Sequence, residues 1–122
     1  NVLLVDDSIV RGTTSRKIVE MVRDAGAREV HLRVSSPPTA HSCFYGIDTP
    51  SEDKLLAHNM DVAKMNDYIK ADSLEFLSIK SLYHAVGEIN GRNDADPQYC
   101  DACFTGDYPI PLVDKEIQDS AA

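Results

Sequence analysis

The chain has no run of apolar residues close to the roughly 18 that a membrane-spanning helix needs, and no signal-peptide pattern. A soluble, cytoplasmic protein with no membrane partner is the expectation. Basic residues are in the minority: 12 Lys and Arg stand against 20 Asp and Glu, a net charge of −8 over 122 residues. That balance leaves no basic stripe for nucleic acid, so no nucleic-acid partner is expected. A small anion is still allowed, because exposed charges are screened over roughly 8 Å at physiological salt and local loop geometry then dominates. Cysteine is scarce as well. Three cysteines in a cytoplasmic setting make a poor disulfide framework and point to metal or redox use instead. The 4 histidines are scattered, and no Ser-His-Asp or Cys-His nucleophile arrangement is visible. No Lys follows Gly12 in the G-x-x-x-x-G-K-[ST] manner, which excludes a Walker A loop.

What is present is concentrated at the start, Asn1-Val-Leu-Leu-Val-Asp-Asp-Ser-Ile-Val-Arg-Gly-Thr-Thr-Ser15. The apolar run Val2 to Val5 suits a strand buried on both faces, as in parallel sheets. Asp6 and Asp7 stand where that strand ends, and the carboxyl ends of strands in open α/β sheets are where ligands bind. Gly12 lets the backbone adopt positive φ and approach a ligand closely. Thr13, Thr14 and Ser15 add hydroxyls beside the unpaired amides of a helix start, an anion cradle suited to a phosphate monoester. The helix dipole contributes about 0.3–1 kcal/mol to such binding. Each hydrogen bond to a charged oxygen contributes about 1.5–3 kcal/mol, so the hydrogen bonds decide affinity. Asp6 and Asp7 cannot serve the same phosphate without repulsion; a ribose diol or a hydrated divalent cation would suit them. The plainer alternative is a strand-to-helix turn in which Thr14 or Ser15 is merely the N-cap.

Further along, Ile18, Val19, Met21 and Val22 form an apolar stripe on a helix read over residues 16–25, with Gly26 ending it. Val30 to Val34 alternates as a second strand, completing a parallel βαβ unit, with His31 turned away from the core. Ser35-Ser-Pro-Pro38 opens a loop through Cys43-Phe-Tyr-Gly-Ile-Asp48. Thr49-Pro-Ser-Glu52 reads as a capping box for a helix to about His58. Asp61 caps a helix with Val62, Met65 and Ile69 on one face. A short strand follows around 74–77, and Ser78 caps a helix with Ile79, Leu82, Tyr83 and Val86 on its apolar face. Residues 90–98 are polar and loop-like, and the segment from Lys115 reads as a solvated tail. Cys100-Asp-Ala-Cys103 is a C-x-x-C pair, while Cys43 lies far upstream. Such a pair can grip one metal or cluster or pass through a disulfide. For Cys43 alone, an ordinary buried thiol is a serious alternative. Zinc and [4Fe–4S] centres both normally want four ligands, and only 3 cysteines are on offer.

Val5-Asp-Asp followed by a Gly-Thr-Thr loop resembles the phosphoribosyl pyrophosphate (PRPP) signature of type I phosphoribosyltransferases. The fuller string from Val5 to Ser15, with Arg11-Gly12-Thr13-Thr14 in place of the Thr-Gly-Gly-Thr usual in salvage members, is similar to the amidophosphoribosyltransferases. The resemblance implies that Asp6 and Asp7 hold the ribose hydroxyls and an associated Mg²⁺. It also implies that Ser8 belongs to the PRPP site and that Arg11, Gly12, Thr13, Thr14 and Ser15 hold the 5-phosphate. One branch of the family carries a [4Fe–4S] cluster, and there Cys43, Cys100 and Cys103 match three ligands, with the fourth outside this chain.

The fold implied by the resemblance is α/β, a partial type I phosphoribosyltransferase fold whose parallel sheet core has flanking helices. Residues 1–40 would be the carboxyl-terminal half of that core with the PRPP loop. Residues 41–114 would be a mostly helical, cysteine-containing region and 115–122 a solvated tail. The implied activity of the full-length enzyme is 5-phosphoribosylamine formation from PRPP and glutamine, releasing pyrophosphate, in de novo purine synthesis. The implied partners are a glutaminase domain of the same polypeptide and, by family analogy, further copies of the chain. The opening on Asn1 and a strand count below the usual five or six both suggest a fragment, expected to be inactive alone. Rival readings are a nucleobase-salvage phosphoribosyltransferase, a non-catalytic PRPP-binding regulator and a metal-binding module built on the cysteines.

Overall fold

The computed structural model describes residues 1–113, so the expected tail from Lys115 lies outside the described residues. Its centre is a parallel sheet in the order β1 (Val2–Asp6), β2 (Val30–Val34), β3 (Ser73–Phe76). β1 and β2 run in register from Val2 opposite Val30 to Asp6 opposite Val34, and β2 meets β3 from His31 opposite Ser73 to Val34 opposite Phe76. The parallel βαβ unit read from the sequence is therefore present, and β3, from well beyond residue 40, extends the same sheet.

Alternation along β2 sends Val30, Leu32 and Val34 into the core and leaves His31 and Arg33 half-buried on the other side. His31 Nδ1 lies 2.8 Å from Ser73 Oγ across the strands, away from the core as expected. α1 (Thr13–Asp24) and α3 (Val62–Ile69) cover the first side, where Val19, Met65 and Ile69 join Val30, Leu32, Val34 and Leu74 in one cluster. Val19, Val30 and Ile69 are wholly withdrawn from solvent, each contributing about 1.5–3 kcal/mol by burial.

β1 departs from expectation. Leu3 and Val5 are 62 % and 71 % exposed, so the strand is buried on one face rather than two. The reason is local: among the described residues, both long helices pack on the same side of the sheet. The α1 stripe narrows in the same way, with Val19 and Val22 inward and Ile18 and Met21 facing out.

The helix boundaries show which sequence signals were used. α1 starts at Thr13, three residues earlier than read, and ends in a Schellman motif in which Gly26 N–H donates to Arg23 O and Ala27 N–H to Val22 O. Asp61 and Ser78 do cap α3 and α4 (Ile79–Ala85), accepting from Lys64 N at 2.9 Å and Ser81 N at 3.0 Å. The capping box at Thr49 does not form. Thr49 Oγ1 instead accepts from Cys43 N at 2.8 Å, and the segment breaks at Leu55 into a 3₁₀ turn (Glu52–Lys54) and α2 (Leu56–Asn59). Leu55 itself is fully buried in extended backbone. Val62 and Val86, expected on apolar faces, are exposed.

The candidate anion loop and the cysteines

Asp6 is the last residue of β1, and the chain turns at once into the loop that feeds α1. Asp6 Oδ1 accepts from Asp7 N at 3.0 Å, and Asp7 Oδ1 accepts from Ser8 Oγ at 3.0 Å. These contacts orient the two carboxylates over an open cavity of about 480 Å³ lined by residues from Asp6 to Ser15. All eight residues read as PRPP-binding therefore face one space: Asp6, Asp7, Ser8, Arg11, Gly12, Thr13, Thr14 and Ser15.

Gly12 is the N-cap of α1 and holds φ 75°, a left-handed conformation that favours glycine. Among the described residues no side chain caps this helix, so the alternative role for Thr14 or Ser15 as N-cap is not taken up. The first intrahelical bond runs from Arg16 N to Gly12 O, which leaves the amides of Thr13, Thr14 and Ser15 without helical partners. Hydroxyls and free amides thus crowd one turn, next to a pair of carboxylates. Such a turn can bind an anion at its amides and a diol or hydrated cation at its acids.

The loop is backed from behind. A Cβ at position 12 would lie 2.6 Å from Leu56 Cδ2 and 3.3 Å from Tyr68 Cε1. Leu56 N donates to Val10 O at 2.8 Å. Neither Leu56 nor Tyr68 was legible as part of the site, since each reads as an ordinary apolar position of a helix.

Cys43 and Cys100 lie outside regular structure, and Cys103 sits in a short helix, α5 (Ala102–Thr105), which meets the segment just before Cys43. Ala40 N and His41 N both donate to Cys103 O, at 3.1 and 3.0 Å, and Tyr108 Oη donates to Ser42 O at 2.7 Å. Burial pushes the Cys103 thiol up, and the nearby charges of Cys100 and Cys43 push it the same way. All three thiols are free, and Tyr45 N–H points at Cys43 Sγ from 3.4 Å. Among the described residues, no three His, Cys, Asp or Glu side chains stand at the spacing a single metal ion takes.

Asp101, inside the C-x-x-C, is 3 % exposed. It accepts from Arg92 Nε at 2.7 Å, Tyr83 Oη at 2.9 Å and Thr105 Oγ1 at 2.9 Å. Burial pushes its carboxyl up, but those three donors together outweigh burial and hold it below the usual range. Sequence reading missed this network; an Arg in a polar loop gives no signal of its partner.

A parallel sheet with helices, and an acid-ended strand leading through a left-handed glycine into a helix start, defines a partial phosphoribosyltransferase fold. Comparison with known proteins narrows this further. The chain is 64 % identical over 115 residues to the amidophosphoribosyltransferase of Rhizobium etli, covering 93 % of the chain and 23 % of that protein. It is 53 % identical over 116 residues to the Bacillus subtilis amidophosphoribosyltransferase, covering 95 % and 24 %. Among solved structures it matches glutamine PRPP amidotransferase from B. subtilis, complexed with ADP and GMP. That match has a TM-score of 0.82 and 51 % identity and covers 92 % of this chain and 24 % of that one. No protein-family profile matches. The chain is homologous, over nearly all its length, to a segment of the amidophosphoribosyltransferases, and spans about a quarter of the length of these relatives.

Proposed function

We propose that this chain is the PRPP-binding segment of an amidophosphoribosyltransferase. The whole enzyme would make 5-phosphoribosylamine, glutamate and pyrophosphate from PRPP, glutamine and water. The observation that carries this reading is the turn at Gly12: left-handed, with no side-chain cap among the described residues, followed by three amides without helical partners on Thr13, Thr14 and Ser15, residues that line the same cavity as Asp6 and Asp7. In this reading Arg11, Gly12, Thr13, Thr14 and Ser15 hold the 5-phosphate, Ser8 flanks it, and Asp6 and Asp7 hold the ribose diol and Mg²⁺. A hydrated Mg²⁺ needs only one or two carboxylates from the protein, so the donor set fits. When bound, Mg²⁺ would neutralise charge on the pyrophosphate as it leaves. The chain's own residues bind and orient the sugar phosphate; the ammonia source lies in a glutaminase domain elsewhere in the full-length protein. That domain and further copies of the chain complete the proposed partners.

Cys43, Cys100 and Cys103 are read as three ligands of a [4Fe–4S] cluster. Support comes from the hydrogen bonds that tie the helix carrying Cys103 to the segment just before Cys43, and from the N–H aimed at Cys43 Sγ. The cluster would supply a rigid cross-link between segments distant in sequence.

The test is PRPP binding by the full-length protein carrying Asp7→Asn or Thr14→Ala. Losing a hydrogen bond to a charged oxygen should weaken binding about tenfold to a hundredfold. In Asp7→Asn the Mg²⁺ requirement should also change. Wild-type affinity in both variants would remove the basis for the assignment.

A further inference from the structure

We infer that Leu56 and Tyr68 are positioning residues for the anion loop, holding Gly12 in its left-handed conformation and so fixing where the amides after it point. The inference rests on reading that loop as the phosphate cradle. Both side chains stand behind the turn, outside the lining of the cavity, so they act through Gly12 rather than on the ligand.

The geometry makes a two-sided brace. The space a side chain at position 12 would need is already filled: Leu56 Cδ2 lies 2.6 Å from the ideal Cβ position, and Tyr68 Cε1 and Cδ1 lie 3.3 and 3.5 Å away. The same leucine is tied to the loop through its backbone, donating its N–H to Val10 O at 2.8 Å. Leu56 therefore fixes the strand side of the glycine by a hydrogen bond and the glycine itself by contact. Tyr68 fixes the helix side. Its ring carries the Arg16 guanidinium 5.3 Å from the centroid, and Arg16 Nε is held in turn by Glu20 Oε1 at 3.2 Å. Tyr68 rides on α3 between the buried Met65 and Ile69, so the brace is anchored in the core.

A brace is needed because the loop lacks the usual restraint. No side chain caps α1 among the described residues, and Gly12 has more backbone freedom than any other residue type. A loop left to wander would have to be ordered at each binding event, which lowers affinity. The phosphate it grips is remote from the bond that breaks in the proposed reaction. Loss of the brace should therefore appear as uniform weakening of substrate binding rather than as a slower chemical step.

The experiment uses the full-length enzyme with PRPP and Mg²⁺, measuring PRPP dissociation constant, KM, kcat and melting temperature. Leu56→Ala and Tyr68→Leu should each raise the dissociation constant and KM about tenfold, with kcat within about twofold of wild type. Leu56→Met, which refills the space, and Tyr68→Phe, which keeps the ring, should restore wild-type affinity. Val30→Ala removes two methyl groups from the same core, where Val30 faces Val2 at the end of β1 opposite the loop; it should lower the melting temperature and leave PRPP affinity alone. Thr14→Ala separates cradle from brace. If it weakens PRPP binding while Leu56→Ala and Tyr68→Leu bind normally, the brace is wrong and the cradle stands. If Thr14→Ala binds normally, cradle and brace fall together. Should Leu56→Ala not fold, Tyr68→Leu decides in the same assay.

Discussion

Arg92 Nε donates to Asp101 Oδ2 at 2.7 Å, and that aspartate stands between Cys100 and Cys103. The guanidinium also reaches Asp94 and Asp107, so a single side chain knits the loop before the cysteine pair to the turn after it. Both members are well buried, at 12 % and 4 % side-chain exposure. Removing one partner strands the other. Arg92→Leu should cost about 3–5 kcal/mol in chemical denaturation of the full-length protein, because it leaves Asp101 charged and buried. Arg92→Lys should recover only part of that loss, since an ammonium cannot reproduce the fork that meets three carboxylates.

The same pair sets an acid response. Asp101 titrates below its ordinary value of 3.8 in the fold because its donors outweigh burial. A depressed folded pKa contributes stability that is complete above the unfolded value and is lost as pH falls through the folded one. Melting temperature should therefore drop as pH falls below about 3.8. In Asp101→Asn that portion of the slope should vanish while the neutral-pH stability is already reduced. An acid limb of unchanged steepness in the variant would show that other carboxylates set it.

The cysteine reading has a direct chemical signature. Cys43→Ser, Cys100→Ser and Cys103→Ser should each lower iron and acid-labile sulfide in the full-length protein, with loss of its visible absorbance. Full iron and sulfide in all three variants would remove these cysteines as ligands.

Two N-caps offer a calibrated test of the helices. Asp61→Ala and Ser78→Ala each delete a side-chain oxygen that accepts a first-turn amide. Each should cost about 1 kcal/mol in denaturation experiments. Thr49→Ala should not behave as a cap deletion, since its hydroxyl serves Cys43 N; its effect should fall on the cysteine loop.

The parts of the fold carried by local pattern were legible in the chain. Alternation at Val30 to Val34, the glycine after α1, and the aspartate and serine before α3 and α4 each act within a few residues, and each is found as read. The candidate loop was legible as a group for a similar reason: one short string holds acids, glycine and hydroxyls, and all of them line one cavity. What escaped was settled by contacts distant in sequence. Thr49 matched a capping box but was drawn off by Cys43. Leu3 and Val5 looked doubly buried because a run of apolar residues does not reveal whether both sides of its sheet are covered. Leu56, Tyr68 and the Arg92–Asp101 pair are ordinary residues whose importance lies in what they meet, and meeting is decided by the assembled fold.

β1 pairs with β2 along one side and, among the described residues, has no strand along the other, while Leu3 and Val5 project from it into solvent. A polypeptide of this extent made by itself would therefore offer a row of unsatisfied peptide groups flanked by greasy side chains, a template on which identical molecules stack. Purification of the isolated piece would be a contest with precipitation, favouring dilute samples, mild denaturant or a charged residue placed at position 3 or 5.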